Sequence, residues 1–155
     1  MRRLLALAAA AAMACSAASA AARGPFDPTA DPAFDLARAR AVAERTHRNL
    51  LLDVGGNWCV WCLVLDRALR DDPALKRQLA ADYVTVHVNV SPDNPNMGFM
   101  ARFPAATGYP FLIVLSPDGT KILRAQDGLA FQKGRTPREG YDHGSIAGFL
   151  ARWRP

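Results

Sequence analysis

Cysteine is scarce in this sequence of 155 residues, which contains only Cys15, Cys59 and Cys62. Three cysteines cannot form a scaffold of several disulfide bonds, the usual support of small exported domains. A structural zinc site is disfavoured because it needs four ligands, and only three isolated histidines could complete the one close pair. A c-type haem is disfavoured because Leu63, not histidine, follows the second cysteine. The close pair is therefore expected to be used in chemistry.

A segregated basic surface is also missing. The formal net charge is +5, but the arginines and lysines are scattered among acidic residues and form no stripe interleaved with aromatic side chains. We therefore expect no binding of nucleic acid. Half of the residues are hydrophobic, so the length and composition indicate one globular domain with a substantial core.

No apolar run reaches the length of about 18 residues that a membrane-spanning helix needs. Instead, arginines at positions 2 and 3 precede an apolar stretch over residues 4–14, and small residues then permit cleavage after Ala20 or Ala22. This order is typical of a secretory signal peptide, which we assign to residues 1–22. The chain is therefore expected to be exported to the periplasm.

Cys15 offers one alternative at this end of the chain, a lipid anchor. Residues 12–14 depart from the Leu-x-small pattern that precedes a lipidated cysteine, so loss of Cys15 with the signal peptide is the preferred interpretation. After the signal, residues 23–30 contain two prolines and are predicted to be an extended linker. Residues 31–155 form the predicted globular domain.

A strand, a turn and a helix surround the cysteine pair. The apolar run Leu50–Val54 predicts a strand buried on both faces of a sheet, and the glycines of Gly55–Asn57 permit a sharp turn after it. Helical spacing begins at Trp58. Cys59 therefore lies in the first helical turn, where unpaired N–H groups and the helix dipole favour the thiolate. Cys62 lies one turn deeper, within reach of a disulfide bond. These positions predict Cys59 as the nucleophile and Cys62 as the resolving thiol.

An acidic residue, Asp53, lies near the end of the apolar strand. A carboxyl group at this position should be desolvated, because its neighbours in the strand are apolar, and desolvation raises the pKa of a carboxyl group. It could then accept and return a proton of Cys62. We therefore predict Asp53 as the proton shuttle of the cysteine pair.

The pattern in which Asp53 precedes the first cysteine of Trp58-Cys59-Val60-Trp61-Cys62 by six residues resembles the thioredoxin superfamily. Tyr109-Pro110 precedes the apolar strand Phe111–Leu115, at the place where that family has a cis-proline facing the cysteines. Among subgroups, the sequence is most similar to the periplasmic reductive domains, such as the C-terminal domain of the thiol–disulfide interchange reductase. The resemblance extends from Asp31 to the last residue.

The resemblance implies an α/β thioredoxin fold, with a central four-stranded mixed sheet and helices on both faces. The order of predicted elements agrees with this: helices over 32–46, 58–70, 73–81, 97–103 and from 143, with N-caps at Asp31, Asp72 and Asp142, and strands over 50–54, 83–90, 110–115 and 120–125. The first helix is predicted to turn Phe34, Ala37 and Ala41 toward the sheet. No regular structure is predicted for residues 127–140.

The resemblance also implies which residues act. The expected catalytic residues are Cys59, Cys62, Asp53 and Pro110, and the expected partner-binding residues are Trp58, Trp61 and Tyr109. Trp61 is predicted to be exposed and to touch the partner, whereas Trp58 is predicted to pack into the surrounding shell. His87 occupies the strand position where the family usually has a lysine, so it either pairs with Asp53 or is a satisfied core histidine. No cofactor and no metal are expected.

The expected partners are proteins that carry disulfide bonds or thiols, together with a membrane electron donor that resupplies the chain. Val60 and Trp61, between the cysteines, carry no positive charge, so the Cys59 thiolate should be stabilised only moderately and the disulfide should be weakly oxidising. The sequence therefore predicts a reductant. A disulfide oxidase or isomerase on the same fold and a Cu(I)-binding module that uses both thiolates are the alternatives.

Overall fold

The computed structural model of the protein describes residues 24–155, so the predicted signal peptide and Cys15 lie outside the described residues. Four strands form one sheet in the order β2-β1-β3-β4. They are β1 (Asn49–Gly55), β2 (Tyr83–Asn89), β3 (Phe111–Leu115) and β4 (Ile122–Asp127). β1 runs parallel to β2 and antiparallel to β3, and β3 and β4 form an antiparallel hairpin. The predicted four-stranded mixed sheet, with its hairpin at one edge, is confirmed.

Helices cover both faces of this sheet, as predicted. They are α1 (Pro32–Thr46), α2 (Val60–Asp71), α3 (Pro73–Asp82), α4 (Met97–Met100) and α5 (His143–Arg152). Most of the core lies in two large apolar clusters. One includes Leu65 of α2, Leu75 of α3 and Ile146 of α5, and the other includes Ala43 of α1 and Phe99 of α4. None of the helices in residues 24–155 is long and apolar enough to cross a membrane.

The position of β1 explains its apolar sequence. The strand lies between β2 and β3, and all seven of its residues are buried. A strand that is paired on both sides and covered on both faces has no solvent side, so its residues do not alternate between apolar and polar. Successive side chains still point to opposite faces. Because Leu51 belongs to the cluster covered by α2, Asp53 and Gly55 lie on that same face.

Three aspartates begin helices as predicted: Asp31 caps α1, Asp72 caps α3 and Asp142 caps α5. In each case the carboxylate accepts at least one hydrogen bond from a backbone N–H group of the first turn, which has no partner within the helix. Asp72 also lies 2.7 Å from Nδ1 of His143. The backbone N–H of Leu75 and the His143 imidazole hold the pKa of Asp72 below its ordinary value. This contact ties the start of α3 to the start of α5.

The predicted apolar face of α1 is wrong. Phe34 is 60% exposed, and the two alanines predicted beside it are exposed as well. Instead, Leu36, Ala39 and Ala43 pack against the sheet. Both sets of residues have helical spacing, so periodicity alone could not separate them. The guanidinium of Arg38 lies 5.8 Å from the centre of the Phe34 ring, which partly compensates the ring for its lack of core contacts.

Residues 24–30 are docked on the domain, contrary to the predicted linker. Phe26 is fully buried. The side chain of Asn57, in the turn after β1, accepts a hydrogen bond from the N–H of Phe26 at 3.2 Å and donates one to its carbonyl at 2.6 Å. Asn94 donates to the carbonyl of Pro28 at 2.8 Å. We call residues 24–30 the N-terminal strap.

The segment 127–140 is ordered by contacts that its polar sequence did not indicate. A 3-10 turn, Gly128–Phe131, follows β4, and Gln132 and Tyr141 form an isolated bridge. The N–H that opens the turn donates to the carbonyl of Pro110 at 2.7 Å. The segment therefore supports the loop that carries Pro110.

Candidate active site

The cysteine pair lies where the chain leaves the sheet and enters α2. Cys59 is the N-cap residue of that helix, and its sulfur accepts a hydrogen bond from the N–H of Cys62 at 3.2 Å. The two cysteines form a disulfide bond, with their Cα atoms 5.2 Å apart. Cys59 retains 7% of its exposure, whereas Cys62 is fully buried. Cys59 is therefore the more accessible of the two cysteines.

Asp53 is fully buried in the middle of the sheet. Within residues 24–155, neither oxygen of its carboxyl group has a hydrogen-bond partner. Burial raises the pKa of Asp53 to about 7, and the negative charge of Asp66 adds to this effect. The carboxyl group can therefore gain or lose a proton near neutral pH, which is what a proton shuttle requires.

His87 is the nearest titratable group on β2. It is the register partner of Asp53, and its Nε2 atom lies 3.6 Å from Oδ2 of that residue, too far for a good hydrogen bond. Burial lowers the pKa of His87, although 34% of its side chain remains exposed. Burial disfavours the charged form of both groups, so the contact between them gains little from an ion pair.

The geometry of β1 places Asp53 close to the buried sulfur. Gly55 shares a face of the strand with Asp53, two residues further along, which corresponds to about 7 Å. A Cβ atom at Gly55 would collide with the sulfur of Cys62 and would meet the ring of Phe26 at 3.2 Å. Glycine is therefore required here so that α2 can bring Cys62 against the strand.

The peptide bond between Tyr109 and Pro110 is cis, as the resemblance implied. Pro110 is buried and its carbonyl is occupied by the N–H of Gly128. The backbone of Tyr109 makes no hydrogen bond with the part of the chain that the structure describes. The ring of Tyr109 packs against the cysteine cluster and meets Trp58 edge to face, with their centres 5.7 Å apart.

The predicted exposures of the two tryptophans are wrong, because Trp58 is the exposed one and Trp61 is the half-buried one. Trp58 is 55% exposed, and its Nε1 donates to the carbonyl of Val90 at 2.7 Å. Trp61 is half-buried and packs on Tyr141, with ring centres 5.2 Å apart. The prediction treated the position between the cysteines as exposed, but the first turn of α2 directs Val60 outward and Trp61 toward the core.

Phe26 and Asn57 belong to the site but were missed in the sequence. Phe26 forms one buried cluster with Cys59 and Cys62. The only signal in the sequence was a large apolar side chain in a segment otherwise typical of a linker, and an asparagine in the turn before the cysteines. Neither feature indicates the other, because they are separated by 31 positions.

A sequence profile of the family described as Thioredoxin-like matches residues 29–117, more than half of the chain. The structure of a disulphide isomerase from Xylella fastidiosa Temecula1 is similar, with a TM-score of 0.68 and 26% identity, covering 85% of this chain and 98% of that chain.

Two more distant structures also match the chain. A thioredoxin from Thermus thermophilus has a TM-score of 0.53 and 21% identity, over 75% of this chain and 81% of its own. The C-terminal domain of DsbD from Neisseria meningitidis, in the oxidised form, has a TM-score of 0.44 and 17% identity, over 63% of this chain and 81% of its own. No curated protein sequence matches the chain significantly.

Proposed function

The chain belongs to the thioredoxin-like family, and on this premise we propose that its Cys59–Cys62 pair reduces disulfide bonds of exported proteins. With this fold and a disulfide-forming Cys-x-x-Cys pair at the start of α2, the chain is a thiol–disulfide oxidoreductase. What the proposal adds is the direction of electron flow, the roles of the residues and the compartment.

The proposed reaction transfers two electrons to the partner. The Cys59 thiolate attacks a partner disulfide, so that the partner S–S bond breaks, one partner thiolate leaves and a mixed disulfide forms. Cys62 then gives its proton to the Asp53 carboxylate and attacks the sulfur of Cys59. The second partner thiolate leaves, and the chain is left with its own disulfide bond. Protons from Asp53 and solvent complete the partner thiols.

The observation that carries the proposed direction is the weak stabilisation of the Cys59 sulfur. Within residues 24–155 it accepts one hydrogen bond, from the N–H of Cys62, and the side chains between the cysteines are Val60 and Trp61. A strongly oxidising pair needs a well-stabilised thiolate, because that stabilises the reduced form. A sulfur supported mainly by a helix terminus favours the opposite direction.

Equilibration with glutathione tests the direction. The ratio of reduced to oxidised chain can be followed through the fluorescence of Trp58 and Trp61, which flank Cys59. We expect a potential near or below ~−230 mV, at the reducing end of the glutaredoxin range. A potential near ~−120 mV, that of a strong oxidant, would refute the reductase proposal.

An isomerase is the second candidate, because the similar structure from Xylella fastidiosa Temecula1 is named a disulphide isomerase. An isomerase corrects scrambled disulfides without net electron transfer, whereas a reductant is consumed stoichiometrically. The two can be separated by refolding a scrambled protein with catalytic amounts of the reduced chain. Catalytic recovery of the native disulfides without added thiol would favour the isomerase.

Partners can be captured through the resolving thiol. Cys62→Ser removes the thiol that would release the mixed disulfide, so partners should remain attached to Cys59 in an exported fraction. The proposal expects exported disulfide proteins and a membrane electron donor among the attached species. Cys59→Ser is the control, because it lacks the proposed attacking sulfur and should retain none of them.

A further inference from the structure

The N-terminal strap, residues 24–30, is fastened beside the cysteine pair. Asn57 lies two positions before Cys59 and holds Phe26 through both its backbone N–H and its carbonyl. A side-chain amide that pairs with both groups of one residue fixes the position of that residue closely. Phe26 is therefore anchored within the strap.

The ring of Phe26 lies between His87 and the cysteines. It meets the imidazole of His87 edge to face, with centres 5.4 Å apart. It also forms a buried cluster with Cys59 and Cys62. The ring and the sulfur of Cys62 both pack against Gly55. Gly55 lies on the same face of β1 as Asp53. The ring thus packs against three of the groups that surround that carboxyl group, namely His87, Cys62 and the backbone at Gly55.

Solvent lies close to this closure. A surface cleft of about 400 Å³ is lined by Pro25 and Asp27 of the strap and by His87. About a third of the His87 side chain is exposed, whereas Asp53, its register partner, has no exposure. At this point only the side chain of His87 separates the buried carboxyl group from the cleft, and the ring of Phe26 packs against that side chain.

We propose that Phe26, held in place by Asn57, is a positioning residue that keeps water out of the pocket shared by Asp53, His87 and Cys62. The importance of this pocket for disulfide exchange rests on the proposed function, whereas the exclusion of water does not.

Removal of the ring should admit water and not leave an empty hole. A cavity stays dry when its walls are apolar, but it hydrates when polar groups offer hydrogen bonds. The Asp53 carboxyl group has two oxygens without partners among the described residues, and the imidazole lies 3.6 Å away. Since burial is the main cause of the raised pKa of Asp53, hydration should lower it toward its ordinary value of 3.8.

Other charges near the pocket stay in place in this comparison. Asp66 on α2 and Tyr141 interact with Asp53, and the charged groups that line the two clefts beside His87 are Asp27, Asp35, Arg38, Asp66, Arg70 and Lys76. A Phe26 variant alters none of them, so a change in the titration of Asp53 reports the access of water.

The test is the titration of the Asp53 carboxyl carbon by carbon-13 NMR in the oxidised protein, where neither cysteine titrates. Asp53→Asn assigns the signal. We expect Phe26→Ala to lower the midpoint by one pH unit or more, and Phe26→Leu, which refills most of the volume, to restore at least half of that shift. Asn57→Ala should lower the midpoint as well, since it releases the strap while keeping the ring.

Phe149→Ala is the matched control, because it removes a buried ring of α5 that belongs to the cluster of Leu65, Leu75 and Ile146 and not to the cluster of Phe26 with the cysteines. Its midpoint should equal that of the native chain. If Phe26→Ala does not fold, Phe26→Leu and Asn57→Ala still decide the question. Unchanged midpoints in the folded variants, or an equal shift in Phe149→Ala, would overturn the proposal.

Activity is measured separately, as the pH dependence of reduction of a model disulfide by the reduced chain. A native chain that reduces nothing, while Phe26→Ala still shifts the midpoint, would remove the proposed function and leave this inference standing. Normal reduction of the model disulfide by the native chain, with no shift of the Asp53 midpoint in the folded variants, would remove this inference and leave the proposed function standing.

Discussion

At the scale of single residues, the burial of Asp53 is costly to the fold. The carboxyl group has no hydrogen-bond partner among the described residues and its pKa is raised to about 7. The folded protein therefore binds the proton of Asp53 more tightly than the unfolded chain does. The stability associated with that proton is present below the unfolded pKa and is lost as the pH rises through the folded pKa.

Asp53→Asn should therefore stabilise the oxidised protein at pH 8 and change it little at pH 4. One pKa unit corresponds to about 1.4 kcal/mol, so we expect a gain of about 2 to 4 kcal/mol at pH 8 in the free energy of unfolding. Urea denaturation at both pH values measures it. Asp93→Asn, at an exposed loop position, is the control and should change neither value. A gain of equal size at pH 4 would contradict the titration argument.

The two cysteines should differ in reactivity once the disulfide is reduced. Cys59 caps α2 and keeps some exposure, whereas Cys62 is fully buried. Iodoacetamide at neutral pH should modify Cys59 at least about tenfold faster than Cys62. Mass spectrometry of the labelled peptides, with Cys59→Ser and Cys62→Ser for assignment, gives the two rates. Faster labelling of Cys62 would reverse the proposed roles.

At the scale of elements, the turn after β4 holds the loop of the cis-proline. A Cβ atom at Gly128 would lie 2.8 Å from Cγ of Pro110 and 3.0 Å from the hydroxyl of Tyr141. Both neighbours are rigid or hydrogen-bonded, so the turn or the loop would have to move. We expect Gly128→Ala to destabilise the protein by about 1 to 3 kcal/mol and to slow reduction of a model disulfide several-fold.

Gly148→Ala provides the matched comparison. Gly148 lies in the middle of α5, and a Cβ atom there would meet no atom within 4 Å. Alanine should stabilise the helix by up to about 1 kcal/mol, because glycine loses more backbone entropy on folding. Disulfide reduction should stay at the native rate. If both variants slow the reaction equally, the effect does not arise from the contact with Pro110.

The elements that the sequence predicts correctly are those with a local cause. The apolar run of β1, the aspartate caps and the alternation in β2 each reflect one neighbourhood of the chain. The spacing of Cys59 and Cys62 likewise follows from one helical turn. The buried face of α1 was mispredicted because two sets of residues share the helical period. Tertiary packing decides between them, and it buries Ala43 and leaves Phe34 exposed.

The parts that the sequence did not predict depend on contacts between distant residues. Phe26 joins the site through an asparagine 31 positions away, and residues 127–140 are ordered by backbone bonds to Pro110 and by the bridge to Tyr141. No local pattern in a linker or in a polar loop encodes such a partner. The site could therefore be located from its motif, whereas its enclosure could not.

At the scale of the whole molecule, export is a proposal that processing can test. Full-length chain produced in a Gram-negative host should lose its first 20 or 22 residues and collect in the periplasmic fraction, because small residues at those positions permit cleavage. Intact-mass spectrometry of the purified protein reads the new N-terminus. The double substitution Arg2→Glu and Arg3→Glu should block processing, since it removes the positive charges of the signal. An unprocessed native chain in the cytoplasm would contradict the proposal.

The side chain of Asn49 donates a hydrogen bond to the carbonyl of Trp153 at 2.8 Å. This bond fixes the end of α5 to the start of β1. Asn49 begins β1 and Gly55 ends it, so the end of α5 is fixed about 20 Å from the disulfide, one strand length away. Gly24, by contrast, lies against Asn57 beside the disulfide. A fluorophore, a fused domain or a link to a solid support attached after α5 would leave Cys59 accessible to partners. The same attachment before Gly24 would lie beside the disulfide. A membrane tether on this side would therefore hold the disulfide within reach of the bilayer.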